Sequence, residues 1–267
     1  MSNEMDQDES DTDTLPDVAP RRRGIYLLPN LLTTANLFAG FYAIVASMNG
    51  RFEAAAVAIF VAMIMDMLDG RVARLTSTQS DFGKEYDSLS DMTSFGLAPA
   101  LVVYEWALSG MVTMGWAWAK LGWLAAFIYV AGAALRLARF NSRHDTADKR
   151  YFQGLASPAA AALIAGLVWV CDDLKISGAL MLWPSFVFTL AAGGLMVSNV
   201  RYYSFKDIDL RNRVPFFVML LVVLVFVFTS IDPPKVLFTV ALVYALSGPV
   251  QELLELRKAR AARKVQP

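Results

Sequence analysis

The 267-residue sequence has one cysteine and one histidine. A single cysteine, Cys171, excludes an intramolecular disulfide and suggests no cysteine-based zinc site. It reads as a small apolar residue near a helix end. The lone histidine, His144, falls in the polar stretch "NSRHDTADKR" and reads as solvated, so no histidine is placed to form an enzyme-bound intermediate. Net charge is lacking too: 24 Lys and Arg balance 24 Asp and Glu. An integral membrane chain of that balance offers no extended basic surface for nucleic acid. No solenoid-type repeat period is visible. The first twenty residues carry seven acids and no base. Such a segment cannot bury a core, so residues 1–20 are expected to form a disordered acidic tail. It lacks the basic and then apolar order of a secretory signal.

What the chain has in excess is apolar residues. They make up 56% of it, the mean hydropathy is +0.44, and soluble domains lie nearer about 45–50%. A helix needs about 20 apolar residues to cross the hydrocarbon core. Eight stretches approach this: 27–47, 53–71, 93–113, 115–136, 153–171, 178–198, 214–230 and 234–252. With the N-terminus in the cytoplasm, 20 of the 24 Lys and Arg fall in inner segments, and only Arg51, Lys120, Lys175 and Lys235 fall outside. A six- or seven-span reading would scatter them on both faces. The expectation is therefore an all-α, polytopic membrane helix bundle of about eight transmembrane helices with both termini cytoplasmic. The membrane domain spans 21–254, and a basic cytoplasmic tail, 255–267, rests on anionic headgroups through "ELRKARAARK". The stretch "SFKDIDLRNRVP" reads as an interfacial loop with Tyr202 and Tyr203 at headgroup level.

One segment breaks the apolar pattern. "MDMLDGRVARLTSTQSDFGKEYDSLSDMTSFG", residues 65–96, holds Asp66, Asp69, Asp81, Asp87 and Asp91 and also Glu85. Asp66 and Asp69 are three apart, and Asp87 and Asp91 four apart, so each pair shares one helix face. The short connection "LTSTQSDF" returns the chain beside itself, so two helix ends present four carboxylates to one another. Clustered carboxylates repel, and a divalent cation is the simple compensation. All-oxygen ligands favour Mg²⁺, Mn²⁺ or Ca²⁺. Asp81 and Glu85 read as a solvated cytoplasmic loop. Asp66 interrupts "AAAVAIFVAMIMDML", where an ionisable group marks a functional site by default.

The spacing Asp66-x2-Asp69-Gly70-x2-Ala73-Arg74-x8-Gly83-x3-Asp87-x3-Asp91 resembles the signature of the CDP-alcohol phosphatidyltransferases at every fixed position. The segments "LPNLLTTANLFAGFYAI" (28–44), "DSLSDMTSFGLAPA" (87–100), "LRLARFN" (135–141), "YFQGLASPAAA" (151–161) and "MVSNVRYYSFK" (196–206) look like the integral-membrane phosphatidylserine synthases within it. Ala156 stands where that subfamily commonly has proline. The resemblance implies a six-helix core, a CDP-diacylglycerol donor, an L-serine acceptor, phosphatidylserine and CMP as products, and a homodimer. It also implies a multi-pass protein of the bacterial cytoplasmic membrane, with the site facing the cytoplasm.

By the same similarity, Asp66, Asp69, Asp87 and Asp91 would hold Mg²⁺ or Mn²⁺, two ions being expected. Asp91 would also act as general base toward the acceptor hydroxyl. Gly70, Ala73 and Gly83 would leave room for the cytidine and its phosphates, and Arg74 would pair with a donor phosphate or serve as a cytoplasmic anchor. Thr33 and Asn36 would touch the donor, the alternative being a helix–helix hydrogen bond. Arg136 and Arg139, three apart, and Asn141 are candidates for the serine carboxylate. Two other readings stay open: the same chemistry on glycerol 3-phosphate or inositol phosphate, and a divalent-cation transporter. The transporter is opposed by carboxylates that sit at the cytoplasmic end and by outer loops with no acidic entry beyond small pairs such as Asp172 and Asp173.

Overall fold

A computed structural model describes residues 27–78, 80–142, 151–203 and 216–265. The acidic tail 1–20, His144 and the stretch 204–215 lie outside the described residues. The described residues are all-α apart from one short strand pair. The helices are α1 (Leu27–Met48), α2 (Phe52–Leu75), α3 (Asp81–Asp91), α4 (Ala98–Trp106), α5 (Trp116–Ser142), α6 (Ser157–Asp173), α7 (Leu182–Val197), α8 (Phe216–Ile231) and α9 (Pro233–Val265). A π-helical segment, Met92–Leu97, joins α3 to α4, and a 3₁₀ segment, Leu108–Met114, follows α4. Strands β1 (Tyr151–Gln153) and β2 (Arg201–Tyr203) pair antiparallel, with Phe152 opposite Tyr202.

The described part of each of the eight expected apolar stretches is largely helical, the third being divided among the π-helical segment, α4 and the 3₁₀ segment. Among the described residues, three helices are by length and composition fit to cross a membrane: Leu27–Met48, Trp116–Ser142 and Pro233–Glu255. Asp81–Trp106 with Leu108–Met114, bent by 41°, makes a fourth if counted as one. The described parts of α6, α7 and α8 are shorter, at 17, 16 and 16 residues. Large apolar side chains such as Phe38, Trp123, Phe127, Val187 and Val243 are exposed, as a lipid-facing surface requires.

Small residues set the packing. α1 and α2 form a hairpin closed by Asn49-Gly50, with Gly50 at φ +69°, where a side chain would be strained. Ala39, Ala43 and Ala46 of α1 and Ala55, Ala56, Ile59 and Ala62 of α2 are buried. Such residues let helix backbones approach closely where water supplies no driving force. α6 is the hub: it packs on α2, α4, α7 and α9. α5 crosses α7 where a Cβ on Gly132 would sit 2.6 Å from the Gly193 carbonyl oxygen. Cys171 is buried near the end of α6, as expected.

Three expectations are corrected. The fifth apolar stretch becomes helical only at Ser157, because residues 151–153 are taken by β1 and Gly154, at φ +80°, turns the chain against the Met196 carbonyl. Tyr202 is not a surface aromatic of an interfacial loop. It is fully buried, and its hydroxyl donates to the Ala245 carbonyl at 3.0 Å. Strand pairing turns this ring inward, and a buried phenol needs an acceptor. Third, Asp81 and Glu85 are not in a loop but on the first turns of α3, whose N-terminus Ser80 caps by accepting from the Gly83 amide at 3.0 Å.

A carboxylate cluster beside an open cavity

α2 brings Asp66 and Asp69 to one face, and α3 brings Asp87 and Asp91 toward them. One carboxylate oxygen from each of Asp66, Asp69 and Asp87 lies within 4.8 Å of the other two. Asp91 stands outside that trio but within side-chain hydrogen-bond reach of Asp66. α1 holds two of the four from the side. The Thr33 hydroxyl donates to Asp69 Oδ2 at 2.7 Å, and Asn36 Nδ2 donates to Asp91 Oδ1 at 3.2 Å. Both supporting residues are buried.

The π-helical segment is what seats α1 against α3. There Ser94 Oγ donates to the Asn36 carbonyl at 3.0 Å, and Gly40 leaves no room for a Cβ, which would fall 2.3 Å from Ser94 Oγ. The Phe95 carbonyl, four residues before Pro99 and its missing N–H, accepts from the Tyr129 hydroxyl at 3.1 Å. Single π turns inside α-helices recur at functional sites.

Next to the carboxylates opens a cavity of about 510 Å³, lined by Pro29, Asn30, Thr33, Asp69, Gly70, Ala73, Arg74, Thr78, Ser80, Asp81, Gly83, Lys84 and Asp87. Thus six of the motif positions expected to meet the donor or metal share one wall set. Gly70 is not a helix-packing glycine: among the described residues nothing lies within 4 Å of where its Cβ would be. The exposed Arg74 donates through Nε to the Gly70 carbonyl at 2.9 Å, which leaves its terminal nitrogens for the cavity. Sequence reasoning missed Asn30, Ser80, Asp81 and Lys84 as lining residues. Helical spacing was the available signal for Asn30, which lies three before Thr33.

The expected acceptor residues occupy different surroundings. Arg136 is largely buried, donates through Nη1 to Ser157 Oγ at 2.6 Å, and leaves Nε buried with no partner among the described residues. It is within electrostatic reach of Asp91. Arg139 makes a long contact, 3.5 Å, to the Ser198 carbonyl. Asn141 donates to Ser88 Oγ at 2.9 Å and so ties the end of α5 to α3 between Asp87 and Asp91. None of the three lines the cavity, and neither does Asn36.

The residues fit a divalent cation. The donor set is all carboxylate, and Asp87 Oδ1 is buried without a hydrogen-bond partner among the described residues. A buried carboxylate oxygen left bare costs free energy unless something charged or hydrogen-bonding meets it.

A family model described as CDP-alcohol phosphatidyltransferase matches residues 26–196, more than half of the chain. A Helicobacter pylori protein named CDP-diacylglycerol–serine O-phosphatidyltransferase is 37% identical over 205 residues, covering 76% of this chain and 83% of its own length. A Methanocaldococcus jannaschii protein of the same name is 32% identical over 185 residues, 69% of this chain and 78% of its own. An archaetidylserine synthase from Methanothermobacter thermautotrophicus is 33% identical over 177 residues, 66% of this chain and 69% of its own.

Proposed function

The chain belongs to the CDP-alcohol phosphatidyltransferase family, and from that membership we propose that it transfers a phosphatidyl group from CDP-diacylglycerol to L-serine, giving phosphatidylserine and CMP. The observation that carries the reading is the meeting of Asp66, Asp69 and Asp87 within 4.8 Å at a cavity lined by Gly70, Ala73, Arg74 and Gly83 of the same motif. The names of the relatives supply the acceptor.

Two Mg²⁺ or Mn²⁺ ions held by Asp66, Asp69, Asp87 and Asp91 would neutralise the pyrophosphate and stabilise the CMP that leaves. The chain's own residues do the rest. Gly70, Ala73 and Gly83 leave space for the nucleotide, and Arg74 and Lys84 offer cations to its phosphates. Thr33 fixes the Asp69 carboxylate, and Asn36 fixes Asp91. Asp91 takes the proton of the serine hydroxyl while that oxygen bonds to the phosphorus bearing the diacylglycerol. The bond from this phosphorus to the CMP oxygen breaks, so the displacement balances with no covalent enzyme intermediate. Arg136 receives the serine carboxylate through its unpartnered Nε. Arg139 adds positive charge nearby, and Asn141 holds α3 in place through Ser88.

In the bilayer the eight helical stretches all cross, both termini face the cytoplasm, and the protein is a homodimer of the bacterial cytoplasmic membrane. The distribution of 20 of 24 bases on one side supports this orientation. The acyl chains then stay in lipid while serine arrives from water. The test is CMP release by purified protein in detergent with CDP-diacylglycerol and Mn²⁺ or Mg²⁺, comparing L-serine, glycerol 3-phosphate and inositol phosphate. Release that needs both metal and serine is expected. Release with another acceptor overturns the serine assignment, and none with any acceptor in folded protein overturns the transferase reading.

A further inference from the structure

Two buried tyrosines meet the same need in this fold. Proline has no N–H, so within a helical run it leaves the carbonyl four residues before it without its usual donor. In an apolar interior another group must supply one. Pro249 lies inside α9, and the carbonyl four residues before it, that of Ala245, accepts from the Tyr202 hydroxyl at 3.0 Å. Pro99 lies in the first turn of α4, directly after the π-helical segment. The carbonyl four residues before it, that of Phe95, accepts from the Tyr129 hydroxyl at 3.1 Å. Both tyrosines are fully buried. The two caps are chemically alike and differ in what they are attached to.

The Tyr202 cap joins β2 to α9, and neither element carries a residue of the carboxylate cluster. The Tyr129 cap is the start of a relay that ends on the cluster. Ser94, next to Phe95 in the π-helical segment, donates through Oγ to the Asn36 carbonyl at 3.0 Å. Asn36 Nδ2 in turn donates to Asp91 Oδ1 at 3.2 Å. Tyr129, Phe95, Ser94 and Asn36 are all fully buried. Close approaches grip the segment from both sides. A Cβ on Gly40 of α1 would fall 2.3 Å from Ser94 Oγ, and one on Gly96 would fall 3.3 Å from Cβ of Ala133, one turn after Tyr129 on α5. Asn36 Oδ1 is buried with no hydrogen-bond partner among the described residues. No second side-chain bond therefore aims this carboxamide. Its direction follows from where the α1 backbone is seated, and the Ser94 contact sets that seat.

We propose that Tyr129 is a positioning residue for Asp91: by capping the carbonyl that Pro99 leaves free, it fixes the π-helical segment, and through Ser94 and Asn36 it fixes the direction of the Asp91 carboxylate. This rests on the reading of Asp91 as the base for the acceptor hydroxyl. Tyr129 acts from α5, outside the aspartate motif, and reaches the chemistry through three hydrogen bonds.

The test uses the full-length protein in detergent with CDP-diacylglycerol, L-serine and Mn²⁺, and reads both CMP release and melting temperature. Tyr129→Phe and Tyr202→Phe each remove one hydroxyl from a proline-freed carbonyl, so both should lower the melting temperature. Only Tyr129→Phe should lower kcat, by about tenfold or more, because a small misplacement far from the chemistry can cost up to about 100-fold. Its donor KM should stay within about twofold, since the relay touches no wall of the cavity. In an Asn36→Ala background, adding Tyr129→Phe should lower the melting temperature again but leave kcat within about twofold, as expected of residues acting in one chain. Should Tyr129→Phe not yield folded protein, Ser94→Ala breaks the next link by removing one oxygen and carries the same predictions. An unchanged kcat in the folded variant, an equal kcat loss in Tyr202→Phe, or losses that multiply in the Asn36→Ala background would each overturn the assignment. Wild-type protein that releases no CMP with any acceptor, or Asp91→Asn protein that turns over normally, would instead remove the reading on which it rests.

Discussion

Replacing Thr33 by valine should weaken metal binding without removing a metal ligand. The Thr33 hydroxyl has a single proton and two acceptors in reach, Asp69 Oδ2 at 2.7 Å and the Pro29 carbonyl at 3.1 Å. The carboxylate wins because it is charged and nearer, and a hydrogen bond to a charged group is worth about 1.5–3 kcal/mol. Valine keeps the branched shape but leaves Asp69 free to rotate in a pocket where it is otherwise buried. Converted at about 1.4 kcal/mol per tenfold, the loss corresponds to about a 10- to 100-fold weaker apparent metal affinity, the range seen when a partner behind a metal ligand is removed. The assay is CMP release as a function of free Mn²⁺, at saturating CDP-diacylglycerol and serine. The midpoint should move up by that factor, most of kcat should return at saturating metal, and Thr33→Ser should behave as wild type. A midpoint that does not move, with kcat alone reduced, would falsify the role given to Thr33 as the support of Asp69.

Other outcomes follow from the same geometry. Asp91→Asn should lower kcat by about 100-fold or more, the contribution of a general base, while CDP-diacylglycerol binding, read by equilibrium titration, stays within a few-fold; Asp66→Asn should weaken that binding, and equal losses in both variants would remove the separate base role. Gly70→Leu should raise the donor KM with little change in melting temperature, because its Cβ points into open space; a large drop in stability would mean that Gly70 packs against protein after all. Arg139→Ala should raise the serine KM more than the donor KM, and less than Arg136→Ala does, since only Arg136 keeps a buried unpartnered nitrogen. Chelation by EDTA should abolish CMP release and Mn²⁺ or Mg²⁺ should restore it; activity that survives exhaustive chelation argues against a metal-held pyrophosphate.

The carboxylate cluster was legible in one dimension because its geometry is local. Asp66 and Asp69 sit on one turn of helix and Asp87 and Asp91 on another, so spacing alone predicts their faces. The apolar stretches were legible for the same reason, with boundaries shifted where a long-range pairing intervened. Residues 151–153 and 201–203 are too short to read as strands and exist only because each finds the other. Tyr202 therefore looked like an interfacial aromatic, although strand pairing and the Ala245 carbonyl bury it. Asn36 is a polar residue on an apolar helix, and nothing in its neighbours reveals that its partner is 55 residues away. The surroundings of Arg136 were the least legible part, since its partner Ser157 lies on α6, which meets α5 only in three dimensions.

The π-helical turn between α3 and α4 has a meaning for insertions and deletions. In a regular helix each added or removed residue rotates everything beyond it by about 100°. The stretch Met92–Leu97 holds a wider turn, so the aspartates before it and the buried Ala98, Val102 and Val103 after it are out of phase with a single α-helical wheel. The two faces are thus set independently: one points at the carboxylate cluster, the other at the core that α4 shares with α1, α5 and α6. Removing one residue between Met92 and Leu97 would let the segment relax into ordinary α-helix. The lower half would stay locked in the bundle, and Asp87 and Asp91 would swing about a quarter-turn away from Asp66 and Asp69. Length here is as strict a requirement as residue identity, and a chain with all four aspartates intact but one residue fewer in this turn would carry the signature without the site.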